Sequence, residues 1–387
     1  MSDFIIRGTF CGSFIADIYI RDGVVERLSE CSGGAERFLV PGGLMELHCH
    51  GAAGHKTTEL NRRAYEDISI FLARHGVTSF LATFSAAPLE VMLSYLAFAG
   101  KIMGEGLPGA RLDGVYMEGP CLKNAGGMSP ELLRAPSPKE TRELLSAGRG
   151  IMRIMTVAPE VPGAMELIET LSENGVAPSA GHSSASAAQI RQAVKHGLRH
   201  ITHLGNNHEG DIRCAEGCYR HEGPLLEALC DDSLTTEVIA DGVHIMPSLV
   251  KIFYRVKGPD KCAAVTDICA AAGLEGEKLL FPNPIGKMEE FTVKNGALYI
   301  GGTERLTGSL LTMERAFMNI QNFAGLSSAD AAKSCGSVPR GIAGLPPRAE
   351  IAPGMKIDFT ILSADGQVEL TAADGKIIYQ KPGVFNE

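Results

Sequence analysis

From residue 41 onward the chain repeats one rhythm, a short apolar run followed by an amphipathic stretch. The apolar runs fall at 43–48, 77–84, 114–118, 152–157, 176–181, 200–204, 236–241 and 263–267. Segments between them, such as 58–75, 88–103, 163–174, 184–196 and 247–256, carry helical periodicity, with Ser184 as a candidate N-cap. Strands alternating with helices over this length predict an α/β fold, a (β/α)8 barrel. A doubly wound open sheet shares the alternation, but no Gly-x-Gly-x-x-Gly follows the first run. Residues 289–300, centred on Asn295-Gly296, read as a β-hairpin inserted after the eighth strand, and 310–323 read as a helix.

Both ends of the chain differ from this middle. Short β-like runs surround the turn signals Asp22-Gly23 and Asp374-Gly375. Residues 1–42 plus 346–387 are expected to form one small β-sandwich, with the barrel at 43–345 inserted between its halves. A hydrophobic content of 45% supports a large core, and a net charge of −9 without a basic block argues against nucleic acid as a partner. A phosphorylated small molecule needs only one or two local cations, so it remains compatible. Ten scattered cysteines lack any C-x-x-C pair, and no apolar run approaches a membrane span. A cytoplasmic protein with reduced thiols, binding no membrane, is the simplest expectation.

In a barrel of this kind the chemistry collects at the C-terminal ends of the strands. His48 and His50, two apart on a strand, project from one face. Later strand ends supply Glu118, His182, His203, His244 and Asp267. Any one of these alone is more simply a hydrogen-bonded core histidine or a capping carboxylate. Converging on one rim, they form a ligand set suited to a divalent ion, Zn2+ first, with Fe2+, Mn2+ or Co2+ also admitted. Such an ion activates water and polarises a carbonyl, and an aspartate takes the proton and returns it to a leaving nitrogen. That is amide hydrolysis without a covalent enzyme intermediate, and the chain has no Gly-x-Ser-x-Gly elbow. His55, His75, Cys121 and the methionines between 313 and 318 read as surface or packing residues.

An ordered set of motifs carries a resemblance over essentially the whole length. It comprises Pro41-Gly42-Gly43-Leu44-Met45-Glu46-Leu47-His48-Cys49-His50-Gly51, Glu118-Gly119-Pro120, Gly181-His182-Ser183, Thr202-His203-Leu204, Ala240-Asp241-Gly242-Val243-His244, Val265-Thr266-Asp267 and Thr307-Gly308-Ser309. In these the chain resembles the N-acetylglucosamine-6-phosphate deacetylase family of the amidohydrolase superfamily. The resemblance implies Glu118, His182 and His203 as principal metal ligands, and His48 and His50 as a second metal position used by some members. It implies Asp267 as the acid/base and His244, Asn206, Asn207, Leu306, Thr307 and Gly308 as substrate contacts. It also implies a homodimer in which one subunit lends a phosphate-binding arginine to the other.

Three positions depart from the family pattern. The family's aromatic-Asn-Ala-Met after the sixth-strand His-Leu is here Gly205-Asn206-Asn207-His208. Its Gly-Ala-His is Gly126-Gly127-Met128, and its phosphate arginine falls on His221, with Arg220 beside it. The leading expectation is a metal-dependent deacetylase of N-acetylglucosamine 6-phosphate. A relative acting on a different, possibly unphosphorylated, N-acyl substrate stands next. A cyclic amidase with a carboxylated strand-four lysine has no lysine in Met152-Arg153-Ile154-Met155-Thr156-Val157. A catalytically silent sugar sensor would be marked by loss of the acid/base, and Asp267 is present.

Overall fold

The computed structural model describes residues 3–33, 37–208, 214–215, 218–219 and 223–384. Four strands open the chain, β1 (Phe4–Phe10), β2 (Ile15–Arg21), β3 (Val24–Glu30) and β4 (Arg37–Pro41). Eight more follow the apolar runs: β5 (Leu44–Cys49), β6 (Val77–Ser85), β7 (Arg111–Glu118), β8 (Met152–Val157), β9 (Ala177–Ala180), β10 (His200–Ile201), β11 (Thr235–Ile239) and β12 (Cys262–Val265). These eight lie side by side in chain order, every pair parallel. Cys49 bridges Ile268 in parallel, and His50 N donates to Ile268 O at 2.8 Å. The sheet therefore closes on itself, which excludes the open doubly wound alternative.

Strand side chains alternate between two cores, as a period of two requires. Phe80, Ala82, Phe84, Val115, Met117, Val238 and Ala264 pack outward with helical residues. The helices that cover them include α1 (Arg62–Arg74), α2 (Leu89–Glu105), α3 (Pro138–Ala147), α4 (Ala164–Glu173), α5 (Ala187–Lys195), α6 (Pro224–Cys230) and α7 (Pro247–Lys257). Leu81, Tyr116, Ile154, Ile239 and Val265 instead share the smaller inner core.

Element ends differ from the sequence reading where local hydrogen bonds decide them. Helix α5 is capped by Ser186 rather than Ser184. The Ser186 side chain and Gln189 form a reciprocal capping box. Helix α1 starts four residues later than expected, because Asn61 takes the N-cap and accepts from Arg63 N. Strand β10 ends at Ile201, where the chain turns, and His203 sits at φ 24°.

Beyond β12, the expected hairpin gains a third strand, so β13 (Lys278–Pro282), β14 (Met288–Lys294) and β15 (Ala297–Ile300) form one antiparallel sheet. Helix α8 (Met313–Ala324) buries Met313, Ala316, Phe317 and Ile320. The chain ends in β16 (Phe359–Ser363), β17 (Val368–Ala373) and β18 (Lys376–Gln380). Both termini merge into one seven-stranded mixed sheet, ordered β18-β17-β16-β4-β1-β2-β3. The edge strand β3 folds back over the segment that enters β16: Val24 bridges Lys356, and Ile357 N donates to Gly23 O. Ile6, Ile18, Val25, Leu39, Phe359 and Leu370 fill the core enclosed between its halves. No helix among the described residues is long and apolar enough to cross a membrane.

Candidate metal centre and active-site cavity

The strand ends bring six of the sequence-selected residues to one point. Glu118 Oε1 lies 3.0 Å from His182 Nε2 and 3.1 Å from His203 Nε2. Its other oxygen, Oε2, lies 3.3 Å from His50 Nε2, and His48 Nε2 is 3.5 Å from Oε1. Asp267 Oδ1 is 3.3 Å from His50 Nε2. Two groups of potential ligands result, Glu118 with His182 and His203, and Glu118 with His48 and His50.

The ring orientations carry chemical information. His182 Nδ1 faces the Asn124 carbonyl at 2.8 Å, and His203 Nδ1 faces the Asn206 carbonyl at 3.2 Å. A carbonyl only accepts, so each Nδ1 carries a proton and donates it. Each Nε2 then faces the Glu118 carboxylate. His48 repeats the pattern, with Nδ1 2.8 Å from Glu237 Oε1. Lone pairs facing a carboxylate at 3 Å repel unless the rings are cationic or a cation lies between them. Asp267 Oδ1, buried and without a hydrogen-bond partner, completes the arrangement. Nitrogen and oxygen donors of this kind fit a zinc-like divalent ion.

Burial would raise the carboxylate pKa values here, but the neighbouring imidazoles outweigh it. His182, with His203 and His48, holds Glu118 well below the usual carboxylate range. His50 and His48 keep Asp267 below its ordinary value, so it is an ionised carboxylate. His182, His203 and Asp267 all have positive φ, at 49°, 24° and 54°. Left-handed backbone at non-glycine residues costs on the order of 1–3 kcal/mol each and concentrates at functional sites.

Around this centre lies a cavity of about 920 Å³. Asn206, Asn207, His244, Leu306, Thr307 and Gly308 line it. Arg220 and His221 lie outside the described residues. Gly126 shows how tightly the wall is built. A Cβ there would meet His182 Cε1 at 2.7 Å and Asn207 Nδ2 at 2.8 Å. His208, singled out as a departure, does not reach the cavity. Its Nε2 lies 3.1 Å from the Thr202 carbonyl, and burial, with His203 nearby, pushes its pKa down to about 3.

Sequence reasoning missed three contributors. Glu237 holds His48, accepts from His203 N at 3.0 Å and lies 3.3 Å from His200 Nε2. Its signal was a charged residue inside the apolar run 236–241, in phase with inward-facing Ile239. Lys123 and Arg305 also line the cavity, and Arg305 donates to Gly126 O. Neither gives a periodic signal. His55 and His75, read as bystanders, pair with Glu59 and Glu314 at 3.1 and 2.9 Å.

Comparison with known proteins agrees with this geometry. No family model matches the chain. It is 30% identical over 364 residues to the N-acetylglucosamine-6-phosphate deacetylase of Bacillus subtilis (strain 168), covering 90% of this chain and 87% of that one. It is 28% identical over 289 residues to the N-acetylgalactosamine-6-phosphate deacetylase of Escherichia coli O157:H7, covering 74% and 73%. Among solved structures it resembles a mutant N-acetyl-D-glucosamine-6-phosphate deacetylase from Mycobacterium smegmatis in complex with N-acetyl-D-glucosamine-6-phosphate. That match has a TM-score of 0.86 and 26% identity, and covers 98% of this chain and 100% of that one.

Proposed function

The chain belongs to the N-acetylglucosamine-6-phosphate deacetylase family, and from that premise we propose that it hydrolyses N-acetylglucosamine 6-phosphate to glucosamine 6-phosphate and acetate. The observation that carries this reading is the Glu118 carboxylate, faced by the Nε2 atoms of His182 and His203, whose opposite nitrogens are pinned by Asn124 O and Asn206 O.

Glu118, His182 and His203 would hold one divalent ion, Zn2+ by donor type, and His48 and His50 a second. Such an ion, when bound, lowers the pKa of water and polarises the acyl carbonyl. Asp267 does the proton work. As an ionised, buried carboxylate with an unengaged Oδ1, it accepts a proton from water and delivers it to the departing amine nitrogen. Asn206, Asn207, His244, Leu306, Thr307 and Gly308 line the side of the cavity that receives the sugar. The phosphate is met by Arg220 or His221, with Lys123 and Arg305 as further cations on the wall.

A homodimer is supported by the exposed apolar stripe Val243, Met246, Leu249, Ile252 and Val256, along and just before α7. Among the described residues eight cysteines lie free, two of them exposed, as suits a reducing cytoplasm. The galactosamine-phosphate relative gives a second reading, in which the sugar is the C4 epimer. Acetate release from both epimers, each with and without the 6-phosphate, tests the assignment on metal-reconstituted protein. Highest kcat/KM on N-acetylglucosamine 6-phosphate is expected. Preference for an unphosphorylated compound would overturn the substrate while leaving the chemistry.

A further inference from the structure

We propose that Glu46 is a positioning residue for Asp267, acting through the Thr266 hydroxyl across the seam where the barrel closes. This rests on the deacetylase reading above, in which Asp267 moves the proton. Glu46 is fully buried, and among the described residues no lysine or arginine pairs with it. A carboxylate taken out of water without such a cation is costly, so the bonds its oxygens make instead are informative. Oε1 accepts from His48 N at 2.9 Å, and Oε2 accepts from Thr266 Oγ1. His48 faces Glu118 and Thr266 adjoins Asp267, so one side chain spans both.

Strands β5 and β12 stand at opposite ends of the strand order, and among the described residues they are joined in register at one bridge, Cys49 to Ile268. Even the short strand β10 shares two register positions with each of its neighbours. The seam is therefore the weakest join of the barrel wall. There the bond to His48 N fixes the Glu46 side chain against its own strand, and the bond to Thr266 crosses to the other. The rim directly above depends on this spacing. His50 Nε2 lies 3.3 Å from Asp267 Oδ1, and His48 Nε2 lies 3.7 Å from the same oxygen.

Thr266 passes the constraint on. A hydroxyl has one proton, and here it goes to Glu46. The Oγ1 lone pairs are then left to accept from Ile268 N at 3.1 Å. That second bond spans Asp267, which sits at φ 54°. Left-handed backbone at an aspartate persists only when its surroundings over-determine it. Ser309 holds the same turn from the other side. Its Oγ donates to Thr266 O, and its N donates to Asp267 O at 2.8 Å. Ser309 secures the main chain, while the Glu46–Thr266 bond ties the turn to the strand that carries His48.

The test uses metal-reconstituted Thr266→Val, Thr266→Ser, Glu46→Gln and the Glu46→Gln/Thr266→Val double variant, with N-acetylglucosamine 6-phosphate as substrate. Valine keeps the shape of threonine without the hydroxyl, and serine keeps the hydroxyl. Glutamine keeps the length of Glu46 but leaves one accepting oxygen in place of two. With kcat expressed per bound metal, a misfolded fraction drops out. Thr266→Val is expected to lower kcat by about a hundredfold, the scale of an ångström of misplacement, with KM and metal content near wild type. Thr266→Ser should restore kcat. Glu46→Gln should lower kcat at unchanged KM, and the double variant should be no slower than Thr266→Val alone. If Glu46→Gln fails to fold, the contrast between valine and serine still decides. Wild-type kcat in Thr266→Val, a serine variant as slow as the valine one, or losses that multiply in the double variant would each overturn the assignment and leave the deacetylase intact. No acetate release by wild type would instead remove the deacetylase reading, and the role of Glu46 with it.

Discussion

The two pairs of histidines that face Glu118 are fixed by different means. His182 and His203 are oriented by main-chain carbonyls, Asn124 O and Asn206 O. His48 is oriented by a side chain, Glu237, and His50 has only Ser85 Oγ at 3.4 Å. Exposure sets only His50 apart, since the His48 side chain is 0% exposed. The His182 and His203 side chains are 3% and 1% exposed, whereas that of His50 is 21% exposed. A backbone carbonyl survives any substitution of its residue, but a side-chain partner does not. The first pair therefore keeps its orienting groups when Asn124 or Asn206 is substituted, whereas His48 depends on the Glu237 side chain.

The largest effect is expected where the pairs meet. Glu118 touches all four imidazoles, so Glu118→Gln should bring acetate release to background and empty both positions in a metal analysis. A variant that keeps metal at wild-type content would break the comparison, since the positions would then not share this carboxylate. Asp267→Asn comes next. It removes the proposed proton acceptor and should lower kcat by about 10²–10⁴, the usual worth of general acid–base catalysis, with metal content unchanged. Loss of metal in this variant would recast Asp267 as a ligand.

Glu237→Gln sharpens the comparison most directly. Removing such an outer partner costs roughly 10–100-fold in metal affinity. The loss should fall on the His48–His50 position alone, read as one ion leaving more readily in a chelator titration. Equal weakening of both positions would mean that Glu237 acts through His203 N as much as through His48.

Much of this was legible in the sequence because strand periodicity is simple. Eight apolar runs separated by helices point to a parallel sheet, whose closure the Cys49–Ile268 bridge decides, and every candidate ligand stood at a run's end. His48 and His50 could be placed on one face by spacing alone. Glu237 could not be given a role, because its partners His48, His200 and His203 come from strands far apart in the chain. The third strand of the inserted sheet was missed for a related reason. β13 pairs with β14 through backbone groups, and its burial is only partial, so it leaves little hydrophobic pattern. The cap at Ser186 rather than Ser184 was decided by a reciprocal bond with Gln189 three residues on.

The smallest effect is expected at His244, which belongs to neither pair. Asp241 Oδ1 accepts from Val243 N and His244 N, both at 2.8 Å, and Oδ2 lies 2.6 Å from His244 Nδ1. Burial alone would lower the pKa of this imidazole, but the Asp241 bond outweighs it and raises it above the ordinary 6.5. A group whose folded pKa exceeds its unfolded value binds protons more tightly in the native state. Its contribution to stability is thus complete below about pH 6.5 and is lost as pH rises through the higher folded value. His244→Gln should then melt below wild type by the largest margin near pH 6, and the margin should shrink on the alkaline side. Asp241→Asn should flatten that dependence. Glu237→Gln should leave it unchanged, because Glu237 contacts His48, His200 and His203 but neither His244 nor Asp241. A margin that widened with rising pH would mean that His244 is held neutral. Asp241 would then fix its tautomer, and the imidazole would meet the sugar with a lone pair rather than a proton.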